Sequence, residues 1–372
     1  MTASWVAVAA LAALLAYANG SNDISKGIAT LVGSGVSGFR GAVVWGTLWT
    51  MAGGLLAAVF SQRLVATFSG SGFLDHRMDG PAFLAAVAAG AAAWVLFASG
   101  TGLPVSTTHA IAGALAGTAV VAQGASALHW ASFAGKVALP LALSPVAAIA
   151  LMYAFHPLLS RCVRRVEAYC LCLERRAVVS GYAADGRLLL RAAVSEAVVA
   201  TEGACDASPA VAARVSAVDA LHGLSAALTS FCRGLNDTPK IVALGIGAWA
   251  ALGVSGAGFY VPVTLAMGVG SVVAGLRVTE TLARKVTPMA PAEGLAANLV
   301  TTLLVGLASA LALPVSTTHV SSGAIIGIGL HRSVETVSWK TVREILIAWA
   351  VTLPAAALAA GAVFFLLARA NG

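Results

Sequence analysis

Uncharged, mostly apolar stretches recur along the chain at residues 1–22, 41–62, 80–108, 110–135, 137–155, 294–318 and 345–368. A helix needs roughly 20 apolar residues to cross a bilayer, so each stretch predicts a membrane segment. Residues 241–276 are apolar too, but Gly256 and Gly258 interrupt them, which predicts two short passes. Residues 221–235 are apolar except for Arg233 near their end. One region breaks the pattern. Between 156 and 209, Arg161, Arg164, Arg165, Arg175, Arg176, Arg187 and Arg191 crowd together against Glu167, Glu174 and Asp185. The turn-like Ala-Ala-Asp-Gly at 183–186 and the polar residues 202–209 mark a linker, expected to carry an amphipathic surface helix. The chain thus divides into a first membrane half (1–155), a basic linker (156–210) and a second membrane half (211–372).

Composition turns this pattern into a fold class. The chain is 59% hydrophobic and only 10% charged, where soluble domains carry about 25% Asp, Glu, Lys and Arg. A mean hydropathy of +0.89 needs lipid, so the fold is expected to be an all-α polytopic membrane bundle in the bilayer. The 39 Gly and the scarcity of aromatics, 7%, suit helices that approach closely. A net charge of +7 would suggest nucleic acid in a soluble chain; here it reflects cytoplasmic Lys and Arg, and no nucleic-acid partner is expected. The Arg-rich linker is therefore read as cytoplasmic and the uncharged start as external, in the cell (inner) membrane. Residues 1–5 lack the basic start of a cleavable leader, and none is expected. The five cysteines, Cys162, Cys170, Cys172, Cys205 and Cys232, are odd in number, and Cys170 and Cys172 are spaced C-x-C, not C-x-x-C. Free thiols in a cytoplasmic loop are the expectation.

The chain also repeats itself. Leu103-Pro-Val-Ser-Thr-Thr-His109 recurs letter for letter as Leu313-Pro-Val-Ser-Thr-Thr-His319. Asn22-Asp23-x-x-Lys26 recurs as Asn236-Asp237-x-x-Lys240, and Arg63 and Arg277 open matching amphipathic stretches. The motif order is the same in both halves, so the chain is an internal duplication. An external start and a cytoplasmic linker imply an odd number of crossings per half. The second half then runs upside down and ends outside, as inverted repeats.

The repeated motifs carry the candidate chemistry. Pro104 and Pro314 remove a backbone donor, so a helix breaks or re-enters at each. Ser106, Thr107 and Thr108, and likewise Ser316, Thr317 and Thr318, follow the prolines; at a half-helix start their hydroxyls join free N–H groups and the positive dipole end in an anion site. Ser and Thr that merely back-bond to carbonyls are the alternative. Asp23 and Asp237 are intramembrane carboxylates, and Asn19, Asn22 and Asn236 supply amide oxygens beside them. Such oxygens suit a hard cation such as Na⁺, whereas a proton needs only the carboxylate; helix capping would use the same residues. His109 and His319 bond an anion, relay a proton or serve structure. Lys26 and Lys240 either snorkel to headgroups or tune the charge of the site. No G-x-x-x-x-G-K-[ST] and no Gly-x-Ser-x-Gly elbow occurs, so neither ATP-driven pumping nor an enzyme is indicated.

Asn19-Gly-Ser-Asn-Asp-Ile-Ser-Lys-Gly27, the paired Pro-Val-Ser-Thr-Thr-His motifs, Gly234-Leu-Asn-Asp-Thr-Pro-Lys240 and Gly275-Leu-Arg-Val-Thr-Glu-Thr281 resemble the inorganic phosphate transporter (PiT) family. The resemblance covers both membrane halves and leaves out the linker. It implies about twelve crossing or re-entrant segments in two inverted repeats. It also implies import of inorganic phosphate with Na⁺ or H⁺ and no other cofactor, phosphate lying at the Ser-Thr-Thr strings and the Asn-Asp motifs. Asp23 and Asp237, with Asn19, would hold the cation, as metal ligands if it is Na⁺. Where many relatives carry glutamates, this chain reads Trp49-Thr50-Met51 and Ala297-Asn298-Leu299, which leaves the coupling ion open. Some family members carry sulfate, so a sulfate permease of the same fold is the alternative. Assembly as a homodimer is left open.

Overall fold

The computed structural model describes residues 2–70, 73–74, 79–182, 185, 187–208 and 211–371. The first half holds α1 (Thr2–Asp23), α2 (Ser25–Gly33), α3 (Phe39–Phe60), α4 (Gln62–Phe68), α5 (Pro81–Thr101), α6 (Thr107–Gln123), α7 (Trp130–Phe133) and α8 (Leu139–Val166). The linker folds as β1 (Tyr169–Tyr182), β2 (Leu188–Thr201), α9 (Glu202–Ala207) and β3 (Val211–Ser216). The second half holds α10 (Ala217–Ala251), α11 (Tyr260–Ala274), α12 (Leu276–Glu280), α13 (Pro291–Ala310), α14 (Thr317–Arg332) and α15 (Trp339–Asn371). Among the described residues, seven helical stretches are long and apolar enough to cross a membrane: Ala3–Gly33, Phe39–Phe60, Pro81–Thr101, Leu139–Val166, Gly256–Ala274, Pro291–Ala310 and Trp339–Ala370. Helices α6 and α14, at 17 and 16 residues, are shorter, and α10 buries Arg233, Asp237 and Lys240 along its length.

The halves interlock reciprocally. α1 packs on α11 while α10 packs on α3; α6 packs on α15 while α14 packs on α8; α5 packs on α15 while α13 packs on α8. Small residues make the crossings close, because lipid gives apolar helices no reason to associate and only tight packing does. A Cβ on Gly20 of α1 would strike the Met267 carbonyl of α11, and one on Gly270 of α11 would strike the Tyr17 carbonyl of α1. Gly53 of α3 and Gly234 of α10 stand in the same relation to the Phe231 and Thr50 carbonyls. Pro239 inside α10 has no N–H for the Leu235 carbonyl, and the Ser61 hydroxyl donates to that oxygen at 3.3 Å instead.

The linker corrects two expectations. It carries a three-stranded antiparallel sheet, ordered β2-β1-β3, and among its described residues no long surface helix; the fold as a whole is therefore mostly helical and not all-α. The local cause is legible in burial of period two: Cys170 and Cys172 are 2% and 0% exposed, while Leu171 and Leu173 are 43% and 38% exposed. Val198 and Val199 add β-branched side chains that favour a pleated surface. Of the 183–186 turn only Asp185 lies within the described residues. The Arg187 N–H donates to its carboxylate at 3.1 Å. The expectation of free thiols is corrected too: Cys172 and Cys205 are joined in a disulfide, leaving Cys162, Cys170 and Cys232 free.

Candidate functional site

The two Ser-Thr-Thr strings open half-helices. α5 is followed by Gly102, φ 79°, and α13 by Leu311 and then Ala312, φ 55°, so the chain turns through the left-handed region before each Leu-Pro-Val. Ser106 and Ser316 cap α6 and α14 with near-identical backbone angles, φ −94° in both and ψ 114° and 111°. Each serine oxygen accepts the N–H of the histidine three residues on, His109 or His319, at 3.2 Å. The serines therefore serve as caps, worth about 1 kcal/mol each. The first-turn N–H groups of Thr107 and Thr108, and of Thr317 and Thr318, have no intrahelical partner and face the helix start. The two starts meet. The Thr318 hydroxyl donates to the Val105 carbonyl at 2.8 Å and that of Thr108 to the Val315 carbonyl at 3.5 Å. The His109 and His319 rings lie 4.5 Å apart, His319 also stacking on Trp349 at 3.9 Å.

The Asn-Asp-Lys motifs converge on the same place. Asp23 accepts from Lys26 Nζ at 2.8 Å, Asn19 Nδ2 at 2.7 Å and the Thr107 hydroxyl at 3.2 Å. Asp237 accepts from Lys240 Nζ at 3.1 Å, Asn236 Nδ2 at 3.0 Å and the Thr317 hydroxyl at 3.4 Å. Asn19 Nδ2 also reaches Asp237 at 3.4 Å, which brings the two carboxylates of the two halves together. Lys26 Nζ donates further to Asn22 Oδ1 at 2.7 Å, and Lys240 Nζ crosses to the Thr108 hydroxyl at 2.7 Å. Asn22 in turn accepts the Val105 N–H at 3.1 Å, and Asn236 Nδ2 donates to the Val315 carbonyl at 3.3 Å, tying each motif to a Pro-Val-Ser. Both lysines are 1% exposed, so the snorkelling alternative is excluded: they are buried partners of their aspartates. A buried charge persists only when paired, and here each ammonium and carboxylate compensates the other.

Arg233 belongs to this cluster, although its lone position in an apolar stretch gave no such hint. It is 0% exposed; Nε and Nη2 donate to the Thr50 hydroxyl at 3.3 and 2.9 Å, and Nη1 has no partner among the described residues. Aligning Asn22 with Asn236 aligns Asn19 with Arg233, so the repeat itself carried the signal: where one half has a neutral amide, the other has a guanidinium. Thr50 and Asn298, found where glutamates were expected, are both 1% exposed and neutral. Asn298 accepts from the Thr30 hydroxyl at 2.9 Å. Each Asp–Lys pair sums to zero charge wherever its proton sits, so Arg233 leaves the buried cluster with a surplus positive charge. Dipole ends, hydroxyls, ammoniums and a guanidinium thus meet in one buried polar cluster, the kind of surrounding that suits an anion.

The profile of the phosphate transporter family matches residues 19–360, from Asn19 in the first motif to beyond the second Pro-Val-Ser-Thr-Thr-His. The chain belongs to this family. It is 29% identical over 366 residues to the "Probable low-affinity inorganic phosphate transporter" of Rhizobium meliloti (strain 1021), covering 97% of this chain and 95% of that one. It is 30% identical over 411 residues to "Inorganic phosphate transporter 2-1, chloroplastic" of Arabidopsis thaliana, covering 92% of this chain and 68% of that protein. A solved structure described as "The sodium-dependent phosphate transporter" superposes with a TM-score of 0.77 at 20% identity, over 99% of this chain and 100% of that one. That likeness establishes the fold. The family and the apolar helices make this a multi-pass membrane protein of phosphate transport.

Proposed function

We propose that the chain imports inorganic phosphate in symport with a cation, Na⁺ or H⁺, and is not an enzyme. One observation carries the reading: two half-helix starts bearing Ser-Thr-Thr meet beside two buried Asp–Lys pairs and an extra guanidinium. Phosphate would take the first-turn N–H groups, the hydroxyls of Thr107, Thr108, Thr317 and Thr318, and the amides of Asn22 and Asn236; Ser106 and Ser316 shape the turns as caps. Lys26 and Lys240 supply the coupling. An arriving anion competes for their ammoniums, and each one it draws away frees Asp23 or Asp237 to take a cation. Binding of either ligand then favours the other, as linkage requires. The Asn19 Oδ1, without a partner among the described residues, adds a neutral oxygen to the carboxylates, the donor set that Na⁺ takes. His109 and His319 back the half-helix starts.

Access from one side is indicated by a cavity of about 410 Å³ lined by Tyr17, Ser21, Ser99, Gly100 and Arg277. Ser99 Oγ accepts from Asn22 Nδ2 at 3.1 Å, so the floor of the cavity touches the site, and Arg277 gives its rim a positive charge. The reciprocal packing of α1–α11 with α10–α3 supports two repeats related by a pseudo-two-fold axis, inverted if each half crosses an odd number of times. About twelve segments, with half-helices and re-entrant turns, belong to the same proposal.

The test is uptake of labelled phosphate into proteoliposomes under imposed Na⁺ or pH gradients. Uptake should follow one gradient and be competed by arsenate. Uptake indifferent to both gradients would leave a channel, and competition by selenate or molybdate in place of arsenate would turn the reading to sulfate. The relatives, named for phosphate, lend the sulfate alternative no support.

A further inference from the structure

Three of the five cysteines meet inside the linker. Cys170 and Cys172 lie two apart on β1, the central strand, so their side chains share one face, and Cys205 comes to that face from α9. All three are buried, at 2%, 0% and 3% exposure. Their sulfurs all lie within 4.8 Å of one another; Cys170 Sγ is 3.5 Å from Cys172 Sγ and 2.6 Å from Cys205 Sγ. A disulfide between Cys172 and Cys205 uses two of these sulfurs and gives the third, equally buried, nothing to do. Cys162 and Cys232, by contrast, stand apart from the group.

We propose that the reduced linker binds one thiophilic d¹⁰ metal ion, Cu(I) or Zn(II), through Cys170, Cys172 and Cys205. The donor set selects the class: it is all sulfur, no His, Asp or Glu among the described residues completes it, and thiolates favour soft ions. Size agrees. Three sulfurs bonded at about 2.3 Å around a central ion stand about 4 Å apart, within the envelope the backbone already allows. A closed, buried three-sulfur ring suits Cu(I), which is content with three ligands; Zn(II) would draw a water as its fourth.

The chemistry balances simply. A dithiol reductant gives two electrons and two protons to the Cys172–Cys205 disulfide and becomes a disulfide itself. The ion then displaces the three thiol protons to solvent. The linker has a use for such a staple, because among the described residues its apolar cluster is Cys170, Cys172 and Cys205 with Ala200 and Val211 against them. Units this small hold together through metals or crosslinks.

The full-length protein, purified in detergent, is reduced with dithiothreitol and desalted without oxygen. It is then offered Cu(I), as its acetonitrile complex, or Zn²⁺ in separate samples. The metal that survives a second desalting is counted per chain. One equivalent is expected for the unaltered chain and for Cys162→Ser and Cys232→Ser, and none for Cys170→Ser. The last variant keeps both disulfide partners, so resistance of Cys172 and Cys205 to alkylation before reduction shows that its linker has folded. Retention of neither ion by the reduced chain, or a full equivalent retained by Cys170→Ser, would overturn the proposal and leave a structural disulfide.

Discussion

Arg233 has a guanidinium nitrogen without a partner among the described residues, in a cluster whose other charges cancel in pairs, so its loss should be felt by the anion first. Replacement by Gln keeps a donor for Thr50 but removes the charge. A hydrogen bond to a charged group is worth about 1.5–3 kcal/mol, so the half-saturation for phosphate uptake should rise at least about tenfold. An unchanged value would assign Arg233 to structure alone. Thr107→Val and Thr317→Val keep shape but remove the hydroxyls that now bond Asp23 and Asp237. Each should also weaken uptake about tenfold, because a site built for hydrogen bonds leaves its partner stranded; near-normal affinity in both would refute the assignment. Lys26→Ala is different. It strands the Asp23 carboxylate, at a cost of about 3–5 kcal/mol in folding. Adding Asp23→Asn should recover thermal stability in detergent without recovering cation-driven uptake. Recovery of both would make the pair a structural bridge.

The helix ends, too, can be tested one by one. Gly102 and Ala312 occupy matching turns, both left-handed, yet only one is glycine. The left-handed region costs an L-residue roughly 1–2 kcal/mol. Gly102→Ala should therefore lower the melting temperature in detergent, and Ala312→Gly should raise it, by less, since glycine loses about 0.5–1 kcal/mol of backbone entropy on folding. Shifts of the same sign in both would mean that side-chain packing, not φ, decides these turns. The strand reading of the linker belongs at this level as well. Apolar content alone does not distinguish a short strand from a helix, but Cys-x-Cys beside exposed leucines has the period of a strand.

At the scale of the molecule, the linker predicts the orientation. It carries the densest run of arginines in the chain, and the uncharged start lies across the membrane from it if α1 to α8 cross an odd number of times. Cys162 is exposed at the end of α8 and free, which makes it the natural probe, whereas Cys170 is buried. In a Cys232→Ser background, an impermeant maleimide should label Cys162 only after cells are permeabilised. Labelling of intact cells would reverse the orientation. The same outcome would place the three-sulfur cluster outside, where thiols oxidise.

Much of this protein is local in origin and so was legible along the chain. Membrane segments follow from runs of apolar residues, because water rejects them wherever the chain goes. Breaks follow from Pro104 and Pro314, whose missing N–H no neighbour restores. The duplication is written in repeated letters, and with it most residues of the buried polar cluster, from Asn22 to Thr318. What only the tertiary structure decided are meetings between residues far apart in sequence. Lys240 bonds Thr108 of the other half, Asn19 spans both carboxylates, and Arg233 reaches Thr50 from a stretch that reads as plain apolar helix. Three cysteines converge although their spacing matches no familiar metal motif, because a strand places i and i+2 on one face and a short helix returns the third. Burial decides the lysines for the same reason. A long charged side chain reaches lipid headgroups or a carboxylate equally well, and which it finds depends on what the other half of the molecule packs against it.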